Sequence, residues 1–340
     1  MIAVDANGAD RGPAAVAEGA RQAGVPVTIF GPVSELGEAP DVVDAPETIG
    51  PDEPVTSVRS RPEASVVRAA RAVADGSADA VVSAGSTAPA LAAAVLNIKR
   101  LRGVHRPAIA ALLPLPGGHT LLLDAGASAE ARPEHLVQFA HMGAAFMEAV
   151  HGVERPRVGL LSNGGEAAKG TPAVVEANER LASAVSSSFA FLGNVEGTDL
   201  ATGAADVVVA DGFTGNVALK TLEGASQATA GAISDAIRSG PLSTLGGLLI
   251  RGRVGRLRRE LDPETTGGAV LLGLRGVAVV AHGRFGPEGI ANAVRLAARA
   301  VDERMVERTA AALEAAGALR SAPAGSFAEM PTVAGPGASE

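Results

Sequence analysis

Short runs of β-branched and other aliphatic residues alternate along this chain with longer stretches whose apolar positions recur at helical spacing. Ile2–Asp5, Val27–Phe30, Ala78–Val82, Arg157–Leu161, Phe189–Leu192, Val207–Ala210 and Gly276–Ala281 are each long enough for one buried strand. The spacing between them predicts helices from Pro13, over 63–75, from the turn after Val82 to Arg102, over 133–150, 172–184 and 217–238, and over 288–316. Ala108–Leu113 and Thr120–Leu123 read as a hairpin joined through Pro114–Gly118. Residues 33–62, rich in proline and acid, predict no clear element. With no repeat and no linker, 1–318 is expected to form one βα-rich domain. The Ala/Gly/Pro/Ser-rich stretch 319–340 is expected to be a disordered tail.

The strand ends carry the polar residues. Glycine-bearing polar turns follow Asp5, Ser83, Asp124, Ser162, Asp211 and His282. Ligands of open α/β sheets bind outside the carboxyl ends of the strands, so these turns are expected to meet at one rim. The stretch Asp206–Gly224, DVVVADGFTGNVALKTLEG, stands out among them. A short strand runs into Asp211-Gly212, and Thr214, Gly215 and Asn216 offer a helix start. Free N–H groups at the positive end of a helix suit an anion, and Lys220 lies one turn on, on the side of Asn216. An ordinary βα turn with a surface lysine is the competing reading of these residues.

Composition narrows the class. The 340 residues are 47% hydrophobic with 2% aromatics and no Trp or Tyr, so the core is aliphatic. A formal charge of −8 argues against nonspecific nucleic-acid binding. The absence of cysteine excludes disulfides, thiolate metal sites and a cysteine-bound acyl intermediate. A strand-like start and the lack of a long uncharged apolar span lead to the expectation of a soluble, cytoplasmic protein. Of 29 basic residues only Lys99, Lys169 and Lys220 are lysine. A compact ammonium and a guanidinium fork are not interchangeable around a tetrahedral anion, which singles these lysines out. There is no GxxxxGK[ST], no well-placed GxGxxG, no GxSxG elbow and no HExxH. Among the six histidines only His282 ends a strand, where a structural or capping role is the simpler reading.

Taken in order, VDANGAD (Val4–Asp10), VSAGSTAPAL (Val82–Leu91), LLLDAGAS (Leu121–Ser128), GNVEGTDL (Gly193–Leu200), ADGFTGNVALKTLEG (Ala210–Gly224) and GGAVLLGLRGVAVVAHG (Gly267–Gly283) resemble the PlsX-type phosphate acyltransferases over residues 2 to about 300. The resemblance implies a three-layer α/β/α sandwich of the isocitrate/isopropylmalate dehydrogenase-like kind, usually a homodimer. It implies the conversion of acyl–acyl-carrier-protein and inorganic phosphate to acyl phosphate and free carrier protein, early in phospholipid synthesis. No cofactor and no metal are implied, since phosphate is itself the nucleophile toward the thioester. The protein then has to bind phosphate, align it and stabilise the oxyanion. Lys220, Asn216 and Lys169 become the candidate catalytic residues. Asp5, Gly8, Ser86, Thr87, Asp124, Gly164, Asp211, Thr214, Gly215 and His282 become candidates for lining the substrate site.

The motif after Ala210 is intact, whereas others depart from the family pattern. Asn7 and Ala9 stand for Met and Gly, Ser86 and Ala88 for Asn and Gly, Ser128 and Glu130 for Asn and Asp. Ser162, Asn163 and Gly165 alter the first half of NIGEExxKG, and Arg284 and Phe285 replace two serines. These departures leave two alternatives: a non-catalytic paralogue that binds carrier protein or membrane, or an acyltransferase using another thioester such as a coenzyme A ester. Segment 239–261 has its own message. Pro241–Ile250 is uncharged, Arg251, Arg253, Arg256, Arg258 and Arg259 follow, and Leu245, Leu249, Val254, Leu257 and Leu261 fall near one helical face. A membrane surface, an acidic carrier protein and the protein's own core are all suitable neighbours for it. The resemblance favours the membrane interface, as a peripheral association.

Overall fold

The computed structural model describes residues 1–116, 118–184 and 188–319, so the expected tail over 319–340 lies, apart from Leu319, outside the described residues. The first half runs β1 (Ile2–Asp5), α1 (Gly12–Gln22), β2 (Val27–Gly31), α2 (Val33–Leu36), β3 (Val42–Asp44), α3 (Ser57–Ser60), α4 (Ser65–Ala74), β4 (Ala80–Ser83) and α5 (Thr87–Asn97). The hairpin β5 (Ala108–Leu115) and β6 (Gly118–Leu123) follows, then α6 (Pro133–His151), β7 (Arg157–Leu161), α7 (Pro172–Ser183), β8 (Ala190–Val195) and β9 (Val207–Val209). The last part is α8 (Gly212–Arg238), α9 (Pro241–Glu260), β10 (Ala269–Leu272), β11 (Val277–Val280), α10 (Pro287–Asp302) and α11 (Met305–Ala315).

All eleven strands join one sheet in the order β3-β2-β1-β4-β11-β10-β5-β6-β9-β7-β8. Successive strand residues point to opposite faces, and both faces are buried. Ile2, Val4, Val82, Leu121, Leu123, Val158, Leu160, Val207 and Val209 pack with α1, α6, α7, α10 and α11 on one side. Ala3, Val81, Ile109 and Val280 pack with α4 and α5 on the other, and Leu122, Leu161, Val195 and Val208 extend that second layer beneath α8.

Three sequence expectations need correcting. The apolar run Ala269–Val280 holds two antiparallel strands, β10 and β11, with Ala269 opposite Val280, instead of one from Gly276. The single helix expected over 288–316 is two, because Arg304 takes a left-handed conformation (φ 53°) between α10 and α11. Most important, the six strand-end turns do not share one rim by strand direction. β3, β2, β1, β4 and β11 are mutually parallel, as are β6, β9, β7 and β8. The antiparallel pairings of β10 and β5 reverse the second set relative to the first. The turns after Asp5, Ser83 and His282 therefore form one group, and those after Asp124, Ser162 and Asp211 another. Sheet twist works against this separation: from β4 to β9 there are five strand steps, which at an average of about 20–25° each would turn the second group by roughly 100–125° toward the first.

The α8–α9 pair is built differently from the rest. Over its 27 residues α8 buries only Gly212 and Gly215, and α9 buries none. The two helices pack on each other, with Gly247 against Ile237.

Candidate active site

Asp124, at the end of β6, organises the second group of turns. Its Oδ1 accepts from Ile109 N (3.0 Å), Gly126 N (3.0 Å) and Ala127 N (2.9 Å); its Oδ2 accepts from Ser128 N (2.9 Å) and Ser128 Oγ (2.8 Å). A fully buried carboxylate with five donors is stabilised where it lies and has no oxygen left for a ligand. Asp124 shapes the site from beneath. Ser128 passes the network on, since its Oγ accepts from Gly212 N at 3.2 Å. The start of α8 is thereby pressed onto the turn so closely that only glycine fits. A Cβ on Gly212 would lie 2.6 Å from Asp124 Oδ2, and one on Gly215 would collide with the Asp124 carbonyl. Gly215 is thus a close-approach residue, and its backbone is not open to phosphate.

The helix start also lies earlier than the residue pattern predicts. Asp211 is the N-cap: its Oδ1 accepts from Thr214 N (2.9 Å) and its Oδ2 from Thr214 Oγ1 (2.7 Å). The positive end of α8 is therefore answered by the protein's own carboxylate, and Thr214 is tied to it. Lys220 consequently lies two turns into α8. It is exposed, as is Asn216 one turn before it, and its Nζ meets Glu223 Oε2 at 2.8 Å. Asn216 lies against Gly126, whose own Cβ position is 3.7 Å from Asn216 Cγ.

After β7, the turn carrying Gly164 and Lys169 is held by Asn194, a residue the sequence reading missed. Asn194 Nδ2 donates to Glu166 O (2.7 Å) and Lys169 O (3.1 Å), and its Oδ1 accepts from Asn178 Nδ2 (2.9 Å). Gly164 is buried beneath the Glu166 and Lys169 side chains, and Lys169 is exposed. β7 and β6 both flank β9, so this turn, the Asp124 turn and the start of α8 leave neighbouring strands at the same edge.

In the other group, Asp5 ties three elements together. Ser65 Oγ donates to its Oδ1 at 2.6 Å, Ser83 Oγ to its Oδ2 at 2.7 Å, and Asn7 N to its Oδ1 at 3.3 Å. Burial pushes the Asp5 carboxyl up to about 6, against the opposing pull of those hydrogen bonds. Ser65 was not foreseen, because it enters from α4. Gly8 packs on Gly85 across β1 and β4, and Ser86 and Thr87 form the start of α5, whose N-cap Ser86 makes no side-chain cap. A recess with room for about one water lies between Asp5, Asn7, Thr48, Ser83 and Ser86.

His282 connects the two groups. Its Nδ1 accepts from Arg284 N at 3.3 Å. Burial holds its pKa below the ordinary histidine value, the charges of Arg284 and Lys220 add to that, and Glu223 and Asp10 oppose it. Lys220 and Glu223 on α8 are thus within electrostatic reach of a histidine at the end of β11. The gap between the two strand sets here has cationic and hydrogen-bonding walls.

Three of the departures from the family pattern are absorbed by the fold. Asn7 Nδ2 donates to Ala45 O (2.9 Å) and Glu47 O (3.3 Å), Ser128 belongs to the Asp124 network, and Phe285 is 7% exposed and packs on Gly289. Away from the gap, His105, Glu134 and His135 place ligand-capable atoms within 4.8 Å of one another. His135 Nδ1 already accepts from Arg132 N, and Arg106 and Arg132 bear on the same ring. That environment disfavours a cation. Among the described residues no helix is long and apolar enough to cross a membrane.

Comparison with known proteins gives this geometry its context. The family model described as "fatty acid synthesis protein" matches residues 1–308. A phosphate acyltransferase of Thermobifida fusca is 44% identical over 91% of this chain and 89% of its own length. One of Elusimicrobium minutum is 46% identical over 79% and 76%. Among solved structures, a phosphotransacetylase from Streptococcus pyogenes matches with TM-score 0.58 at 19% identity, covering 89% of this chain and 94% of that one. A phosphotransacetylase from Staphylococcus aureus matches at 0.53 and 16%, covering 88% and 94%. The fold is accordingly phosphotransacetylase-like and Rossmann-related, which corrects the expected isocitrate/isopropylmalate dehydrogenase-like class. Aliphatic strands and glycine turns are common to many α/β folds, and the way β10 and β5 join the two strand sets had no counterpart in the residue pattern.

Proposed function

This chain belongs to the fatty acid synthesis protein family, with the phosphate acyltransferases, and from that membership we infer that it transfers an acyl group from acyl–acyl-carrier-protein to inorganic phosphate. Acyl phosphate and free carrier protein are the products, in phospholipid biosynthesis. A phosphate oxygen attacks the thioester carbonyl, the C–O bond forms, the C–S bond breaks, and the departing sulfur takes up a proton. The nucleophile is already an anion, so the protein's task is to hold two negative charges, on the phosphate and on the developing oxyanion, in one place. We assign that task to Lys220 and Asn216 on the exposed side of α8, with His282 facing them and Lys169 on the neighbouring turn. Asp124, Asp211, Thr214, Gly164, Gly215, Asp5, Gly8, Ser86 and Thr87 hold the surrounding turns in place.

The observation that carries this reading is the start of α8, which sets Asn216 against the Gly126 turn and leaves Lys220 exposed one turn on. It also bears on the non-catalytic alternative. Asn7, Ser128 and Phe285 serve the fold, and Lys220, Asn216 and Lys169 remain exposed. The exposed α8–α9 pair is assigned to partners: its apolar residues to a second copy of the chain and a membrane surface, its arginines to the acidic carrier protein or lipid headgroups.

The test supplies a long-chain acyl–carrier protein and phosphate and follows free carrier thiol. Phosphate-dependent release is expected, falling by about 10²–10³ in Lys220→Ala, the range for loss of one oxyanion-stabilising donor. A coenzyme A ester is expected to be the poorer donor. No release across several chain lengths would overturn the assignment.

A further inference from the structure

We propose that Arg284, with the Nε2 of His282, forms an additional binding point for a phosphorus oxyanion on the β11 side of the gap, an inference that rests on the reading above. The tautomer of His282 is the first reason. Its Nδ1 accepts a backbone N–H from Arg284, so a neutral ring carries its proton on Nε2. The Arg284 terminal nitrogen NH2 lies 3.5 Å from that same Nε2. Two donors then face each other with no acceptor between them. An oxyanion oxygen set beside the pair, about 2.8 Å from each nitrogen, would accept from both, as guanidinium and imidazole donors accommodate phosphate.

The charge balance is the second reason. Lys220 shares its charge with Glu223 in a surface ion pair, whereas Arg284 has no carboxylate within ion-pair distance among the described residues. Arg284 is exposed, so its guanidinium is open to a ligand. The third reason is the rigidity of the turn beneath it. Arg284 O accepts from Arg11 Nε (3.1 Å), Phe285 N donates to His282 O (2.9 Å), and Asp10 N donates to Gly283 O (3.0 Å). Phe285, buried against Gly289, fastens this turn to α10. The backbone is fixed from three sides while the exposed side chain rests only beside the His282 ring, which limits the ordering cost of capture to one arginine. Two sources offer this chemistry: free phosphate, and the phosphodiester of the prosthetic arm that carries an acyl group on its carrier protein.

The experiment compares wild type with Arg284→Ser and Arg284→Lys in steady-state thiol release, varying phosphate and acyl–carrier protein separately, with equilibrium dialysis of radiolabelled inorganic phosphate alongside. A rise of roughly tenfold in the KM for phosphate in Arg284→Ser, with weaker dialysis binding, an unchanged Tm and partial recovery in Arg284→Lys, supports the site and identifies free phosphate. The same rise confined to the KM for the carrier protein supports the site and identifies the arm. Unchanged KM values for both substrates in Arg284→Ser overturn it. Failure of the wild type to turn over would instead sink the proposed function, while dialysis would still decide whether Arg284 holds phosphate.

Discussion

Replacing Gly215 by alanine sets two effects of opposite sign against each other. Inside an exposed helix, glycine to alanine stabilises by about 0.5–1 kcal/mol, because the unfolded chain loses freedom. Gly224, in the same helix α8, has nothing within 4 Å of its would-be Cβ and should show that gain alone. At Gly215 the Cβ would meet the Asp124 carbonyl inside 3.0 Å, closer than real Cβ atoms approach. The carbonyl cannot yield, because the Asp124 side chain is held by five donors and its N–H by Ala210 O. α8 must therefore withdraw, by about 1 Å or more for an ordinary contact. Overpacking of this kind costs about 1–3 kcal/mol, and the Gly212–Ser128 bond it stretches is worth about 1 kcal/mol. After subtracting the helix gain, Gly215→Ala should lose about 1–3 kcal/mol while Gly224→Ala gains up to about 1. Urea unfolding followed by circular dichroism measures both, and thiol release should fall only in Gly215→Ala, since Asn216 and Lys220 move with the helix. Equal stability of the two variants would refute the close-packing argument.

Asp5 is raised from 3.8 to about 6, so between those values the native state holds a proton the unfolded chain has released, and this contribution to stability is lost as pH rises. Asp5→Asn should therefore improve relative to wild type between pH 4 and 7, by up to about 3 kcal/mol; a constant difference in chemical-denaturation midpoints would contradict it. His141 has the opposite sign. Burial lowers it from 6.5 to about 4, and its Nδ1 has no partner, so stability is lost as pH falls through that window. His141→Leu should flatten the acid limb of a Tm–pH profile, and an unaltered limb would count against it. In the α8–α9 pair, Leu242 is 86% and Leu249 82% exposed. Changing both to serine should leave Tm within about 1 °C while reducing self-association in sedimentation or flotation with anionic vesicles; no change in either would exclude these residues from a contact surface.

Local features were legible where their cause was local. The βα alternation follows from aliphatic runs separated by helix-period segments, and the Asp5, Ser83, Asp124 and Asp211 turns follow from polar residues and glycine after those runs. The start of α8 was open to a better reading, because Asp211 followed by Thr214 is an N-cap pattern. Ser65 and Asn194 could not be found this way: Ser65 reaches Asp5 across 60 positions and Asn194 reaches Glu166 across 28. Arg304 breaks a helix with no glycine or proline to announce it.

By itself the sequence determined the class of element at most positions, the aliphatic two-sided sheet, the intact DGFTGNVALKTLEG motif and, through resemblance, the family. Those properties depend on residue type and spacing, which the chain carries openly. Tertiary structure alone decided which groups of each motif are spent on the protein's own contacts. The same Asp124 that ends a strand at a plausible rim is consumed by five donors. Gly215 is a contact and not an anion cradle, and the helix dipole is answered by Asp211. The two groups of turns are separated by strand direction, yet the charge of Lys220 on α8 still bears on His282 at the end of β11. Strand direction and twist are properties of the assembled sheet, set by how β10 and β5 insert between two parallel sets, and no window of sequence contains them.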